Sequence, residues 1–450
     1  MPDQTKLSAS QSKGLADIVR QQIEATLAEL VLLWQSEPPA DWKRVVRPTG
    51  DGSFSINIES YCGFKSSINF RSKIAGRESL SLLDKVIRAN QPVLLGYVSY
   101  SGRGEVIQDV VNLSTSLCHA ALRYMDTRIS AEDAIKRVMT ELDQILVTSC
   151  VTHESLIPLS GLKLPEEIEP ISLGSNICIR NLTAEEVSDI GSNDISSESQ
   201  HSIVSRPVTT ALVITRKVRF TLSERYEEQT SDLTFLQEEQ DHIDAFLCSL
   251  HILKTGRVGV VASFTTLRPT ILPNMGGHSW APLVVNPFGF MKLTCEEIET
   301  FVDLHQKITS NQRNEVRIAA TRLLDAESRL SPVDSLLDAV IGLEVLLNPN
   351  DYAELSFRVA LNYAYLGNST DRRKRYENVR DIQKTRNRVV HGGLNLKSKD
   401  AALIHKHAEL AKQCLRDSVQ HFLNDKAFAG NVKLDVDFWL DRVIPPDLVL

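Results

Sequence analysis

Residues 372–393, RRKRYENVRDIQKTRNRVVHGG, decide how the chain is read. Tyr376, Val379, Ile382, Val389 and Val390 recur at threes and fours, the spacing that lines one face of a helix at about 100° per residue. Gly392 and Gly393 then supply a left-handed stop directly after a histidine. The spacing predicts a single amphipathic helix. Arg386 falls inside the apolar stripe, where an unpaired guanidinium is costly to bury, so a carboxylate, a phosphate or water is expected beside it. Asn387 and His391 are four apart and share a face, which lets the amide orient the imidazole or meet the same ligand. Arg386 and His391 are five apart, about 140° around the axis, so they flank a patch that two such helices, one from each of two chains, could close into a pocket.

Composition places this helix in an ordinary globular protein. The chain has 450 residues, 42% hydrophobic and 24% charged, enough for two or three domains with sizeable cores. The opening MPDQTKLSAS has no basic flank followed by an apolar run, and no segment approaches the roughly 20 apolar residues that cross a bilayer, so a cytoplasmic protein without membrane contact is expected. The seven cysteines are scattered, with no C-x-x-C and no zinc spacing; free buried thiols are expected, and neither metal nor cofactor. A formal charge of −7 excludes a generally basic nucleic-acid coat. Yet residues 372–388 hold eight basic and two acidic side chains, a net +6. A basic strip on an acidic body fits a confined contact with a polyanion. The plainer reading is a solvated helix start, although cations at an N-terminus run against the helix dipole.

Before this helix the pattern is mixed. A long helix is expected over 6–36, strands at FSINIES and at Pro92–Tyr100, helices over 104–126 and 131–148, and short β segments at Ile177–Arg180, Thr209–Thr215 and Val258–Thr265. A helix at 236–255 lies among them. Thr183-x-x-Glu186 reads as a capping box. The Ser/Asn/Asp-rich stretch 191–206 reads as a loop. The Pro/Gly-rich segment ending near Phe290 lacks the G-K-[ST] of a phosphate loop.

From Thr294, the start of a second capping box, the strands stop, and helical pattern runs to about Ser328. Ser331-Pro332-Val333-Asp334 is a complete helix start, opening a helix that carries Glu344 within its apolar stripe. Leu355 to Gly367, the basic helix and a last helix from about Lys399 to Leu423 follow. Short loops between helices that are each apolar on one side make a bundle the simplest packing. The expected fold is therefore α+β: residues 1–290 a mixed region of sensing or regulatory character, and residues 291–450 a helical bundle with a short tail.

R-x-x-x-x-H is weak by itself, and the chain contains it a second time, Arg416 to His421. Only Arg386 is followed by asparagine, only His391 by a glycine pair, and only the first helix carries the basic run. Plainer roles compete for both residues: Arg386 in a buried ion pair with Glu344, and His391 as a cap favoured by the helix dipole.

The blocks SPVDSLLDAVIGLEVLL, LSFRVALNYAYLG and YENVRDIQKTRNRVVHGG resemble, in order and spacing, the HEPN domains of the Apea-like group, whose signature is R-N-x-x-x-H or R-x(4-6)-H at the end of a bundle helix. The resemblance covers about residues 294–425 and is most specific from Leu336 to Gly393; ICIRNLTAEEV at Ile177 is similar to a piece of the region that precedes such domains. It implies a metal-independent endoribonuclease of prokaryotic antiphage or toxin systems, a homodimer whose facing motifs form one composite site. Arg386 and His391 would be the catalytic pair and Asn387 the polar residue between them. Arg372, Arg373, Lys374, Arg375, Arg380, Lys384 and Arg388 are the candidate RNA-binding residues and Glu344 the partner that positions Arg386. The chemistry suits the residues: an imidazole can move the 2′-OH proton and a fixed guanidinium can meet charge building on the phosphate. A bundle that binds RNA or dimerises without catalysis, with function in the N-terminal region, is the alternative.

Overall fold

The computed structural model describes residues 14–36, 42–48, 54–60, 70–95, 97–100, 103–107, 109–125, 129–183, 186, 209–223, 234–260, 262–268, 278–280, 291–311, 313–348, 355–367, 369–393, 400–425, 428 and 438–439. Helices α1 (Asp17–Ser36), α2 (Glu78–Asn90), α3 (Val110–Met125) and α4 (Ala131–Thr148) precede α5 (Thr234–Leu253). Strands β1 (Trp42–Pro48), β2 (Phe54–Ser60), β3 (Tyr97–Tyr100) and β4 (Arg103–Ile107) lie among the first helices. Strands β5 (Cys150–Ser160), β6 (Leu162–Lys163), β7 (Ile171–Gly174), β8 (Ile177–Asn181), β9 (Thr210–Ser223), β10 (Gly259–Val260), β11 (Ala262–Arg268), β12 (His278–Trp280) and β13 (Met291–Lys292) come after them. Helices α6 (Cys295–Ser310), α7 (Asn314–Ser328), α8 (Pro332–Leu347), α9 (Leu355–Leu366), α10 (Arg372–Val390) and α11 (Asp400–Asn424) follow. The protein is mixed α+β and mostly helical.

Two compact units divide the chain: Met1–Pro158, Asn176–Glu239 and Val260–Pro282 form the first, and Leu159–Ser175, Gln240–Gly259 and Leu283–Leu450 the second. The division is therefore not the single cut near residue 290 that the change from mixed to helical pattern suggests. Cys248 and Ile252 of α5 lie in the core of the later helices, and Leu162 and Lys163 pair in parallel with Met291 and Lys292.

In the first unit α1 packs its Val19, Ile23, Leu27 and Leu30 face into one core with α2, α3 and α4. The start of α1 is tied down by Asp143, which accepts from the Leu15 amide at 2.7 Å and pairs with Arg20 at 2.7 Å. The sheet runs β12-β11-β5-β9-β3-β4, with β8 also antiparallel to β9. Several expectations are corrected here. Residues 103–107 are a strand and the helix begins only at Val110; residues 92–94 form a 3₁₀ turn, so the strand starts at Tyr97; and β9 runs on to Ser223. The Thr183/Glu186 capping box forms and is reinforced by a two-pronged Arg180–Glu186 pair at 2.7 Å. Residues 191–206, and all of the Pro/Gly-rich segment except His278–Trp280, lie outside the described residues.

The second unit holds the bundle. Thr294 and Glu297 make the full reciprocal cap of α6, and Ser331 caps α8 ahead of its first-turn proline. The pattern from Thr294 to Ser328 is two helices rather than one, broken where Asn311 turns the chain by accepting from the Arg313 amide at 2.9 Å. α8 is the central helix, fully burying Leu336, Val340, Leu343, Leu346 and Leu347 against α7 and α11. Gly342 allows that approach: a Cβ there would lie 2.6 Å from Leu415 Cδ2. Cys118, Cys248 and Cys414 are buried as expected, whereas Cys295 is exposed. No described helix is long and apolar enough to cross a membrane.

Candidate nucleic-acid interface at the end of the basic helix

α10 forms where the spacing places it, and its stop is a complete Schellman motif. Gly392, at φ +70°, donates to Val389 O at 3.1 Å, and Gly393 donates to Arg388 O at 2.7 Å. His391 is the last residue before the reversal, its amide on Asn387 O at 3.0 Å and its side chain exposed. The buried face differs from the apolar reading. Val379, Ile382, Gln383 and Thr385 are the buried residues, Val389 is half-buried, and Val390 is 53% exposed. Val390 leaves the stripe because α10 ends within one residue of it, so no further turn packs over its position.

Arg386 meets the carboxylate expected for it. Its Nη2 lies 3.9 Å from Glu344 Oε2, and its Nη1 donates to Asn387 Oδ1 at 3.1 Å, with the side chain 29% exposed. The pair is loose, since 3.9 Å is beyond a direct hydrogen bond. Gln383, 1% exposed, donates to the other oxygen of Glu344 at 3.3 Å, so the carboxylate bridges two residues of α10. Burial pushes the Glu344 carboxyl above its ordinary range, with Arg386 and Gln383 opposing the shift. Arg386 Nε and Gln383 Oε1 are buried and have no hydrogen-bond partner among the described residues. A donor and an acceptor are thus left open on the two side chains that meet the Glu344 carboxylate.

The predicted RNA-binding residues separate into two sets. Arg372 lies over the Tyr365 ring at 4.3 Å, and Arg375 over the Tyr363 ring at 4.0 Å with Nε and Nη2 donating to Tyr363 O at 3.4 Å. These two cations pack α10 onto α9, which supplies a structural reason for positive charge at a helix start. Gly367 makes room, since a Cβ there would lie 2.5 Å from Arg375 Nε. Arg373, Lys374, Arg380, Lys384 and Arg388 are exposed. Arg373 pairs with Glu377 at 3.1 Å, Lys384 with Asp381 at 3.4 Å, and Arg388 donates to Gly393 O at 3.5 Å.

The second R-x-x-x-x-H resolves into architecture. Arg416, 3% exposed, pairs with the buried Glu327, donates to His251 O at 2.8 Å and is joined there by Lys412, 3.1 Å from the same carboxylate. Burial lowers the His251 pKa. The sequence reading missed Glu327, Lys412, Gln383 and the 2.7 Å contact between the Thr385 hydroxyl and His407 Nδ1. Gln383 carried a usable signal, standing four residues after Val379 and so inside the stripe. Glu327 carried none. Among the described residues no group of three or more His, Cys, Asp or Glu is placed to hold a metal ion. Comparison with family models, curated proteins and solved structures gave no match to this chain.

Proposed function

We propose that the protein is a metal-independent endoribonuclease with a HEPN-type bundle of the Apea-like group, acting as an antiphage, growth-arresting effector whose N-terminal unit senses the trigger or restrains the nuclease. The observation that carries this reading is the end of α10, where Arg386, Asn387 and His391 occupy one terminal stretch of a strongly basic helix, the guanidinium only loosely tied and the imidazole exposed. His391 takes the 2′-OH proton, the 2′-oxygen bonds to phosphorus as the bond to the 5′-oxygen breaks, the departing 5′-oxygen takes a proton from water whose hydroxide returns His391 to its neutral form, and Arg386 meets the charge on the phosphate oxygens. The products are a 2′,3′-cyclic phosphate and a 5′-OH, and DNA is inert because it lacks the nucleophile. Within one chain Arg386 leans against Glu344 while His391 stands at the helix tip. In this reading the protein works as a homodimer whose two facing motifs form one composite site.

Cleavage of total RNA in EDTA tests this. Wild type is expected to cut, His391→Ala to lose about 10²- to 10⁴-fold in rate, the usual contribution of a positioned proton-transfer group, and Arg386→Ala about 10²- to 10³-fold, the usual cost of one donor to the transition-state charge. Equal cutting by all three, or no cutting while RNA binding persists, would leave the bundle as a silent RNA-binding or dimerisation module.

A further inference from the structure

Beside the basic helix, on the side of Tyr376, stands an aromatic pair that the cleavage chemistry does not use. Phe357 of α9 is 49% exposed, although an aromatic ring on a bundle helix ordinarily faces the core. It meets the half-buried Tyr376 of α10 edge to face, centroids 6.1 Å apart and planes at 74°. The Arg380 guanidinium lies 5.9 Å from the Tyr376 centroid, its side chain 45% exposed and its Nε 3.8 Å from Asp381 Oδ1 in a solvent-exposed pair. With Tyr376 as origin, Arg380, Asn387 and His391 fall at about +40°, +20° and +60° around α10, whereas the acids Glu377 and Asp381 fall at about +100° and +140°. The face that carries the aromatic pair thus continues along α10 to Asn387 and His391, while Arg386, ten residues on, falls at about −80°.

We propose that Phe357 and Tyr376, with Arg380, form a stacking platform for an unpaired base of single-stranded RNA, several nucleotides away from the bond that is cut. This rests on the nuclease reading in one respect only, that α10 receives RNA. The occupant follows from chemistry on the same surface. An exposed ring offers any base a π-face, the neighbouring guanidinium is within reach of the phosphate between bases, and the +6 charge of residues 372–388 attracts a polyanion. Tyr376 and Asn387 are eleven residues apart, about 16 Å along the helix axis. Stacked nucleotides are about 3.4 Å apart, so an oligonucleotide of several residues spans that length and a dinucleotide does not. The platform would add affinity for long unpaired RNA while leaving the chemical step alone.

The test compares wild type, Phe357→Ala and Phe357→Trp on a ribo-octanucleotide and a ribodinucleotide, with binding of an all-2′-O-methyl octanucleotide, which cannot be cleaved, measured by fluorescence anisotropy. Phe357→Ala is expected to raise KM for the octanucleotide about tenfold, the lower part of the range for one lost base stack, with kcat and dinucleotide cleavage unchanged; Phe357→Trp restores the lost affinity. Unchanged octanucleotide KM, or equal losses on both lengths, overturns the platform and leaves the nuclease reading intact. A change in the oligomeric mass of Phe357→Ala overturns it in favour of self-association through this patch. If wild type cuts nothing but binds the 2′-O-methyl octanucleotide, and Phe357→Ala weakens that binding about tenfold, the platform stands and the nuclease reading falls. Binding by none of the three proteins overturns both.

Discussion

Removing the charge of Glu327 is expected to cost the helical unit more stability than any substitution at the proposed site. The Glu327 side chain is 4% exposed and lies between Arg416 at 3% and Lys412 at 7%. Glu327→Gln keeps the shape and deletes the charge. Two buried cations then share no counter-ion, because Glu409 reaches only Lys412, at 2.8 Å, from a half-exposed position. Deleting one partner of a buried ion pair costs about 3–5 kcal/mol. In a cooperative unit of about 200 residues each kcal/mol moves Tm by about 2–4 °C, so a fall of about 6–20 °C is expected. Thermal unfolding followed by far-ultraviolet circular dichroism reads it directly. A triple variant, Glu327→Leu with Lys412→Met and Arg416→Met, should recover most of the loss, because the desolvation cost leaves with the charges. Arg386→Met removes a partly exposed guanidinium 3.9 Å from its carboxylate and should move Tm far less. A Glu327→Gln protein melting within about 2 °C of wild type, at the lower end of what even 1 kcal/mol produces, would refute the buried ion network as the anchor of α7 on α11.

Three further outcomes follow from the same unit. The raised pKa of Glu344 reverses what an ion pair alone suggests: a buried acid with a raised folded pKa loses stability as pH rises through that pKa, so Glu344→Gln should hold or raise Tm at neutral pH, and a clear fall would mean the Arg386 attraction outweighs burial. His305, 1% exposed, has its pKa pushed down to about 4 by burial; stability is complete above the unfolded value near 6.5 and falls by about 3 kcal/mol as pH drops toward 4. Denaturant midpoints near neutral and near pH 4.5 should therefore diverge less for His305→Leu than for wild type, and equal divergence would remove this residue from the acid response. Gly342→Ala places a Cβ 2.6 Å from Leu415 Cδ2 and 3.1 Å from Arg322 Cβ; the overpacking cost of about 1–3 kcal/mol should exceed the gain in helix propensity of about 1 kcal/mol, and an unchanged or higher Tm would refute that close contact.

Elements with local punctuation were legible. Thr294, Ser331 and Gly392 announce helix ends by their own hydrogen-bonding or conformational needs, and the structure places ends at all three. Elements defined by distant partners were not. Residues 103–107 pattern like the helix that follows them, yet they form a strand because β3 offers a ladder to join. The break at Asn311 needs only one side chain to turn the backbone, and helical periodicity passes over it unbroken. At the candidate site the sequence placed Arg386, Asn387 and His391 on their helix and named Glu344 as the carboxylate facing Arg386. It could not separate Arg372 and Arg375, which pack on tyrosines, from the exposed cations of the same run.

By itself, then, the sequence determined which segments are helices with defined ends and that a basic helix ends in an arginine, an asparagine and a histidine, because caps and periodicity are local properties of the chain. Only the tertiary structure decided which of two identical R-x-x-x-x-H spacings is buried as an ion network and which keeps an open guanidinium. It also decided that Phe357, a residue of apolar type, stands exposed beside Tyr376. Burial and counter-charge are supplied by other helices, and spacing along one helix carries no record of what those helices bring.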